Sequence, residues 1–172
     1  MGEQPHRRES NRLERFDYAQ VGAYFVTICT HRRRRLFGEV VNGEVVLSEL
    51  GQLVRNLWDR IPRHQSNVDV DEFVVMPDHF HGVLIIDLQS RGTIYRAPTE
   101  ERFGGPIPGS IPTIIRTYKA AVTRMWRKSI EDPALRVWQR GYYEHVIRSE
   151  DELNGIRRYI QTNPIRWDLR HS

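Results

Sequence analysis

His79-Phe80-His81 sets two imidazoles two residues apart, directly after Met76-Pro77-Asp78 and ahead of Gly82-Val83-Leu84-Ile85-Ile86. Side chains alternate along a strand, so His79 and His81 project side by side from one face with Val83 and Ile85. Phe80, Leu84 and Ile86 take the other face, and both faces are apolar enough for a central, covered strand. A single histidine there is usually a packed, hydrogen-bonded residue. A pair leaves that reading and a metal site both open, because each ring needs a polar partner or an ion. Near the other end of the chain, Tyr159 and Asn163 are four apart, one above the other on a helix. Taken alone, the first is a core tyrosine with its hydroxyl outward and the second a helix stop before Pro164. Combined with the histidines they describe a chemistry. Two imidazoles and an amide oxygen could hold one divalent ion, and a phenol one turn away could attack a phosphate bound to that ion. Such a ligand set leaves coordination positions open and suits Mg²⁺ or Mn²⁺, which neutralises and orients a phosphodiester. Tyr118 is a rival phenol, and His145 or Glu144 are candidates to handle the proton.

The elements that must position these groups follow from periodicity. Tyr24–Thr30 is rich in β-branched and aromatic residues and reads as the first strand. Leu36–Val41 and Glu44–Leu47 flank Asn42-Gly43, a hairpin signal. Ser48 caps a helix to about Arg60, with Leu50, Leu53, Val54, Leu57 and Trp58 at helical spacing. Val68–Met76 pairs with the histidine strand across the Pro77 turn. Residues 89–112 read as a long surface loop, and Pro112 opens a helix to about Ile130. Tyr142–Arg148 is the last strand. Ser149 and Glu152 form a capping box, with Glu152 reaching back to the Ser149 amide, and the final helix ends at Asn163 before Pro164. Leu153, Ile156 and Ile160 are its buried stripe. This order predicts an α+β sandwich, an antiparallel sheet with helices packed mainly on one face. Residues 1–20 are expected to form a polar arm and residues 21–172 one domain.

Composition narrows the partners. The 172-residue chain has net charge +4, and of 26 basic residues only Lys119 and Lys128 are lysine. Arginine forks onto phosphate and stacks on bases. The run Arg32-Arg33-Arg34-Arg35 is a specific polyanion signal, and the helix carrying Arg116, Lys119 and Arg124 is either a solvated basic face or a nucleic-acid track, with Arg140 nearby. Trp126, Trp138, Tyr142 and Tyr143 offer stacking surfaces or core. No apolar run approaches a membrane span, the first residues lack the apolar core of a signal peptide, and the single cysteine, Cys29, excludes an intrachain disulfide. A cytoplasmic setting without membrane contact is expected.

Beyond these residues, the chain resembles the REP-associated tyrosine transposases, relatives of the single-strand insertion-sequence (IS200-like) transposases and, more distantly, of HUH endonucleases. The resemblance covers about residues 16–168. It rests on Tyr24-Phe25-Val26-Thr27, Leu36-Phe37-Gly38-Glu39, Met76-Pro77-Asp78-His79-Phe80-His81-Gly82, Trp138-Gln139-Arg140, Tyr143-Glu144-His145-Val146-Ile147-Arg148 and Tyr159-Ile160-Gln161-Thr162-Asn163-Pro164. It implies a ferredoxin-like domain that cuts and rejoins single-stranded or hairpin-forming DNA through a 5′-phosphotyrosine. In that pattern His79 and His81 match the paired metal ligands, Tyr159 the nucleophile and Asn163 the third ligand. The expected assembly is a monomer or homodimer. Because Ser149 directly follows Arg148, the tyrosine is expected to complete its own chain's site. A non-catalytic nucleic-acid-binding module on the same scaffold, and a metal phosphodiesterase using water, are the competing readings.

Overall fold

The structure, a computed structural model, describes residues 21–87, 109–130, 132 and 134–171. The predicted N-terminal arm and most of the predicted long loop lie outside these residues. Four strands build one antiparallel sheet: β1 (Gly22–Cys29), β4 (Val68–Met76), β5 (His79–Ile86) and β6 (Tyr143–Ile147), in the spatial order β4-β5-β1-β6. The short strands β2 (Gly38–Val41) and β3 (Glu44–Leu47) form a separate hairpin. Asn42 and Gly43 both take positive φ at its turn, as a two-residue hairpin requires. Helices α1 (Glu49–Trp58), α2 (Ile61–His64), α3 (Ile111–Ile130) and α4 (Glu150–His171) complete the fold. This is the α+β, ferredoxin-like arrangement expected, with the β1-α1-β4-β5-α3-β6 succession generating the observed strand order.

The sheet is covered on both faces. On one, α1 and α3 press Leu50, Val54, Trp58, Ile114, Ile115, Tyr118 and Val122 against Tyr24, Val26, Ile28, Phe80, Leu84 and Ile86. Ser48 accepts a hydrogen bond from the Gly51 amide at 3.1 Å and starts α1 as its sequence suggests. The Trp58 ring lies 4.5 Å from that of Phe80, centroid to centroid. This approach needs Gly82, since a Cβ there would lie 2.7 Å from Trp58 Cζ2 and 2.8 Å from Phe80 Cε1. On the other face α4 lays Leu153, Ile156 and Ile160 over Val83, Ile85, Phe25 and Val74. Among the described residues, two helices therefore share one face while α4 covers the histidine face.

A bulge on β4 ties α4 down. Val70 pairs with Leu84 and Phe73 with Gly82, so β4 has one extra residue between them. Asp71 and Glu72, at the bulge, both bond α4. Arg157 donates to Asp71 through Nη2 at 2.5 Å and Nε at 3.0 Å, and Gln161 donates to Glu72 at 2.9 Å. Burial works against the Asp71 carboxylate, yet the Arg157 hydrogen bonds hold its pKa below the ordinary value.

Two local expectations are corrected. Glu152 bonds the Arg148 amide at 2.7 Å, one residue earlier than a regular capping box, while Ser149 does accept from the Glu152 amide. Pro164 does not end the last helix, which runs on to His171. Proline removes one amide donor and crowds the preceding turn, but tertiary contacts outweigh that cost. Trp167 is buried beyond it, and Asp168 accepts from the Gly43 amide at 2.8 Å. From the packing at Gly82, Gly82→Ala is expected to destabilise the protein by about 1–3 kcal/mol, an overpacking cost. A urea midpoint equal to wild type would contradict the packing described.

Candidate active site

Strand register assembles the site. His81 sits opposite Thr27 on β1 and Val74 on β4, and Thr27 sits opposite Tyr143 on β6. One row of the sheet thus reads Val74, His81, Thr27, Tyr143, all on the face that α4 covers. The Thr27 hydroxyl is 2.8 Å from His81 Nδ1. Phe25 stacks on the His81 ring at 5.3 Å, and the rings of His79 and His81 meet edge to face at 4.6 Å.

His79 is held from the turn that precedes it. Its Nδ1 lies 2.5 Å from Asp78 Oδ1, and the second Asp78 oxygen accepts from Arg33 Nε at 3.1 Å. Asp78 and both histidines are buried. The turn itself is anchored: Thr30 and Phe37 donate their amides to the Asp78 and Pro77 carbonyls, each at 3.0 Å. A carboxylate on Nδ1 fixes the ring orientation and favours a proton on that nitrogen, which leaves the lone pair on Nε2. Thr27 engages the corresponding nitrogen of His81. Among the described residues, the only partner at the far side of either ring is Tyr159, whose hydroxyl is 3.3 Å from His81 Nε2.

Helix α4 supplies three residues at four-residue spacing. Tyr159 touches His81, with ring centroids 5.3 Å apart, and Trp167 touches His79 at 5.8 Å. Asn163 lies midway between them in the same helical stripe. It is 2% exposed, and its Oδ1 is buried with no hydrogen-bond partner among the described residues. An orphaned amide oxygen on the helix stripe that touches both imidazoles completes a donor set that would suit a divalent cation. Tyr159 is 37% exposed, and Arg166 Cζ stands 5.9 Å from its ring centre. The rival Tyr118 is excluded by place. It is buried on the opposite face, donates to the Val54 carbonyl at 2.9 Å, and burial pushes its pKa well above 10.

The cationic candidates divide. Arg32, Arg33, Arg34 and Arg35 are all exposed, but only two reach the histidine side, Arg33 on Asp78 and Arg35 stacked on Trp167 at 5.7 Å. Arg116 and Arg124 are exposed on α3, which packs against the sheet face away from the histidines, and Arg140 is exposed in the segment leading to β6. Lys119 is engaged internally, donating to the Gln139 and Gly141 carbonyls at 2.9 and 2.7 Å, and burial lowers its pKa to about 8. Trp126, Trp138 and Tyr142 pack into the core, whereas Tyr143 is 47% exposed in the histidine row. His145 pairs with Glu152 at 2.6 Å.

Sequence reasoning missed Asp78, Thr27 and Trp167. Asp78 carries a signal, a carboxylate directly before a histidine. Thr27 is the one aliphatic hydroxyl in β1. Trp167 fell beyond the expected end of the helix.

No family model matches the sequence. The chain is 41% identical over 167 residues to an uncharacterized protein of Haemophilus influenzae, across 95% of this chain and 91% of that one. In three dimensions it is similar to a REP-associated tyrosine transposase bound to a REP hairpin, with TM-score 0.59 and 19% identity over 90% of this chain and 73% of that chain. At that identity the likeness is one of fold.

Burial lowers the His81 pKa to about 3, with the neighbouring His79 and Arg33 adding to the effect and Asp78 opposing it. The folded state therefore refuses a proton that the unfolded chain accepts below its ordinary value near 6.5. The associated stability is complete above that pH and is lost as pH falls toward 3. Metal-free protein is expected to lose stability between pH 7 and 4, and His81→Gln to lose less over the same range. Parallel urea-midpoint profiles for the two would contradict this.

Proposed function

The chain belongs to the same family as the Haemophilus influenzae protein and has the fold of the REP-associated tyrosine transposases, and from this we propose that it is a single-strand DNA transposase or nickase-ligase. It cleaves and rejoins DNA through a covalent tyrosine, with a divalent metal held by His79, His81 and Asn163. The observation that carries this reading is the Tyr159 hydroxyl 3.3 Å from His81 Nε2, in the same chain, one helical turn before the orphaned Asn163 oxygen.

When bound, Mg²⁺ or Mn²⁺ would supply charge neutralisation and orientation of the scissile phosphate. The protein's own groups do the rest. Asp78 and Thr27 each engage an imidazole through Nδ1, which leaves both Nε2 atoms for the ion. Tyr159 Oη attacks phosphorus: the Oη–P bond forms, the P–O3′ bond breaks, the phenolic proton is lost and the departing 3′ oxygen gains one. The product is a 5′-phosphotyrosine and a free 3′-hydroxyl. The phosphotyrosine conserves the energy of the broken bond, so a 3′-hydroxyl of another DNA end can reverse the step without ATP. Arg33, beside the site, and the neighbouring arginines would hold the backbone. The hairpin bound by the structural neighbour makes hairpin-forming single strands the first substrate to try.

One consequence is specific to this geometry. The Tyr159 hydroxyl rests on the nitrogen that would ligate the ion, so ion and phenol compete for His81 Nε2. Tyr159→Phe is expected to bind Mn²⁺ at least as tightly as wild type by titration calorimetry, while forming no protein–DNA adduct on a denaturing gel. His79→Ala and His81→Ala are expected to lose both Mn²⁺ binding and cleavage. Cleavage that survives Tyr159→Phe would remove the tyrosine from the mechanism and favour water as nucleophile. Salt-dependent binding with no cleavage under any metal would favour a non-catalytic module.

A further inference from the structure

The four-arginine run does not form one patch. The chain leaves β1 at Cys29 and enters a tight turn in which Arg32 and Arg33 both adopt the left-handed region, at φ 58° and 55°. Side chains with a Cβ rarely sit there, and two in succession persist only where the surroundings fix them. Buried Thr30 does so: its hydroxyl donates to the Arg34 and Asp78 carbonyls, at 2.7 and 3.0 Å. The His31 amide donates to the Val137 carbonyl at 2.8 Å.

This turn divides the run by parity. Arg33 and Arg35 lie on the histidine side, against Asp78 and Trp167. Arg32 and Arg34 instead line an open groove of about 450 Å³ with His31, Leu135 and Arg136. Asp132 is also on its wall, with Oδ1 accepting from the Ala134 amide at 2.9 Å. Among the described residues, the guanidiniums of Arg32, Arg34 and Arg136 have no carboxylate partner. Three guanidiniums without an ion-pair partner outnumber the one carboxylate on this concave surface, an excess of positive charge that suits an extended polyanion.

We propose that this groove is a second nucleic-acid subsite, which holds the sugar-phosphate backbone of single-stranded DNA flanking the scissile phosphate. The arginine turn links the two sites, since consecutive residues face alternate sides of it. Recognition is of the backbone, because the lining offers guanidiniums and little aromatic surface for bases. The proposal rests on the DNA-processing reading above, but its test does not require cleavage.

The experiment measures fluorescence anisotropy of a labelled oligo-dT of about 20 nucleotides, long enough to span both sites, over a salt titration. Each protein carries Tyr159→Phe, so no adduct contributes. The R34A/R136A protein is expected to show a log K against log salt slope less negative by about 1.4, two single-strand phosphate contacts, and to bind about 25-fold more weakly at 0.1 M salt. Arg136 is exposed, so R136E alone serves as a second variant, and R34K/R136K is expected to keep most of the slope. An unchanged slope and affinity in R34A/R136A and R136E, while the parent still binds, would overturn the subsite and leave the catalytic reading intact. Failure of the parent to bind oligo-dT would also overturn the subsite, and the denaturing gel would still decide the catalytic reading. Tighter binding of oligo-U than of oligo-dT by the parent would overturn the assignment to DNA.

Discussion

The burial of two imidazoles between a sheet and a helix is the constraint around which this structure is arranged. A buried imidazole must satisfy two ring nitrogens, and each inner nitrogen here has its own partner, Asp78 for His79 and Thr27 for His81. Those partners dictate other features. Asp78 requires the anchored Pro77 turn and draws in Arg33. Thr27 requires the register that sets β1 against β5. The cover required by the outer nitrogens brings α4 across the sheet, held at the bulge by Arg157 and Gln161. Fold and site are therefore one problem: a slip of one residue in β5 would turn both histidines into the α1–α3 core.

The same helix both covers and equips the site. Tyr159, Asn163 and Trp167 recur every four residues, so one stripe delivers a phenol, an amide and an indole onto the two rings. Leu153, Ile156 and Ile160 run beside that stripe and dock the helix through apolar contact. Apolar residues bear the packing, which leaves Tyr159 partly exposed, as the proposed attack on a phosphate would need.

Much of this was legible in the sequence, for physical reasons. Alternation along His79-Phe80-His81 fixes which rings share a face without knowledge of the fold. Helical spacing places Tyr159 and Asn163 together in the same way. The α+β class and the hairpin at Asn42-Gly43 followed from local pattern. Contacts set by register were not legible, since nothing local to Thr27 says which residue will face it. The extent of α4 was misjudged because the penalty for Pro164 is local, whereas the contacts of Trp167 and Asp168 that override it are distant. The parity of the arginine run was hidden for a related reason. Left-handed conformations at Arg32 and Arg33 are imposed by Thr30 and Val137 rather than preferred by arginine.

The place of α4 in the chain bears on how the molecule comes into being. Every strand of the sheet precedes it, so on the ribosome the sheet residues all emerge first, and domains form largely in that order. Until α4 emerges, the histidine face has no cover, and both imidazoles stand open to water. Docking of α4 then closes the face and sets the phenol against His81. Vectorial synthesis thus gives the nascent protein an interval in which its histidines are more open than in the finished fold.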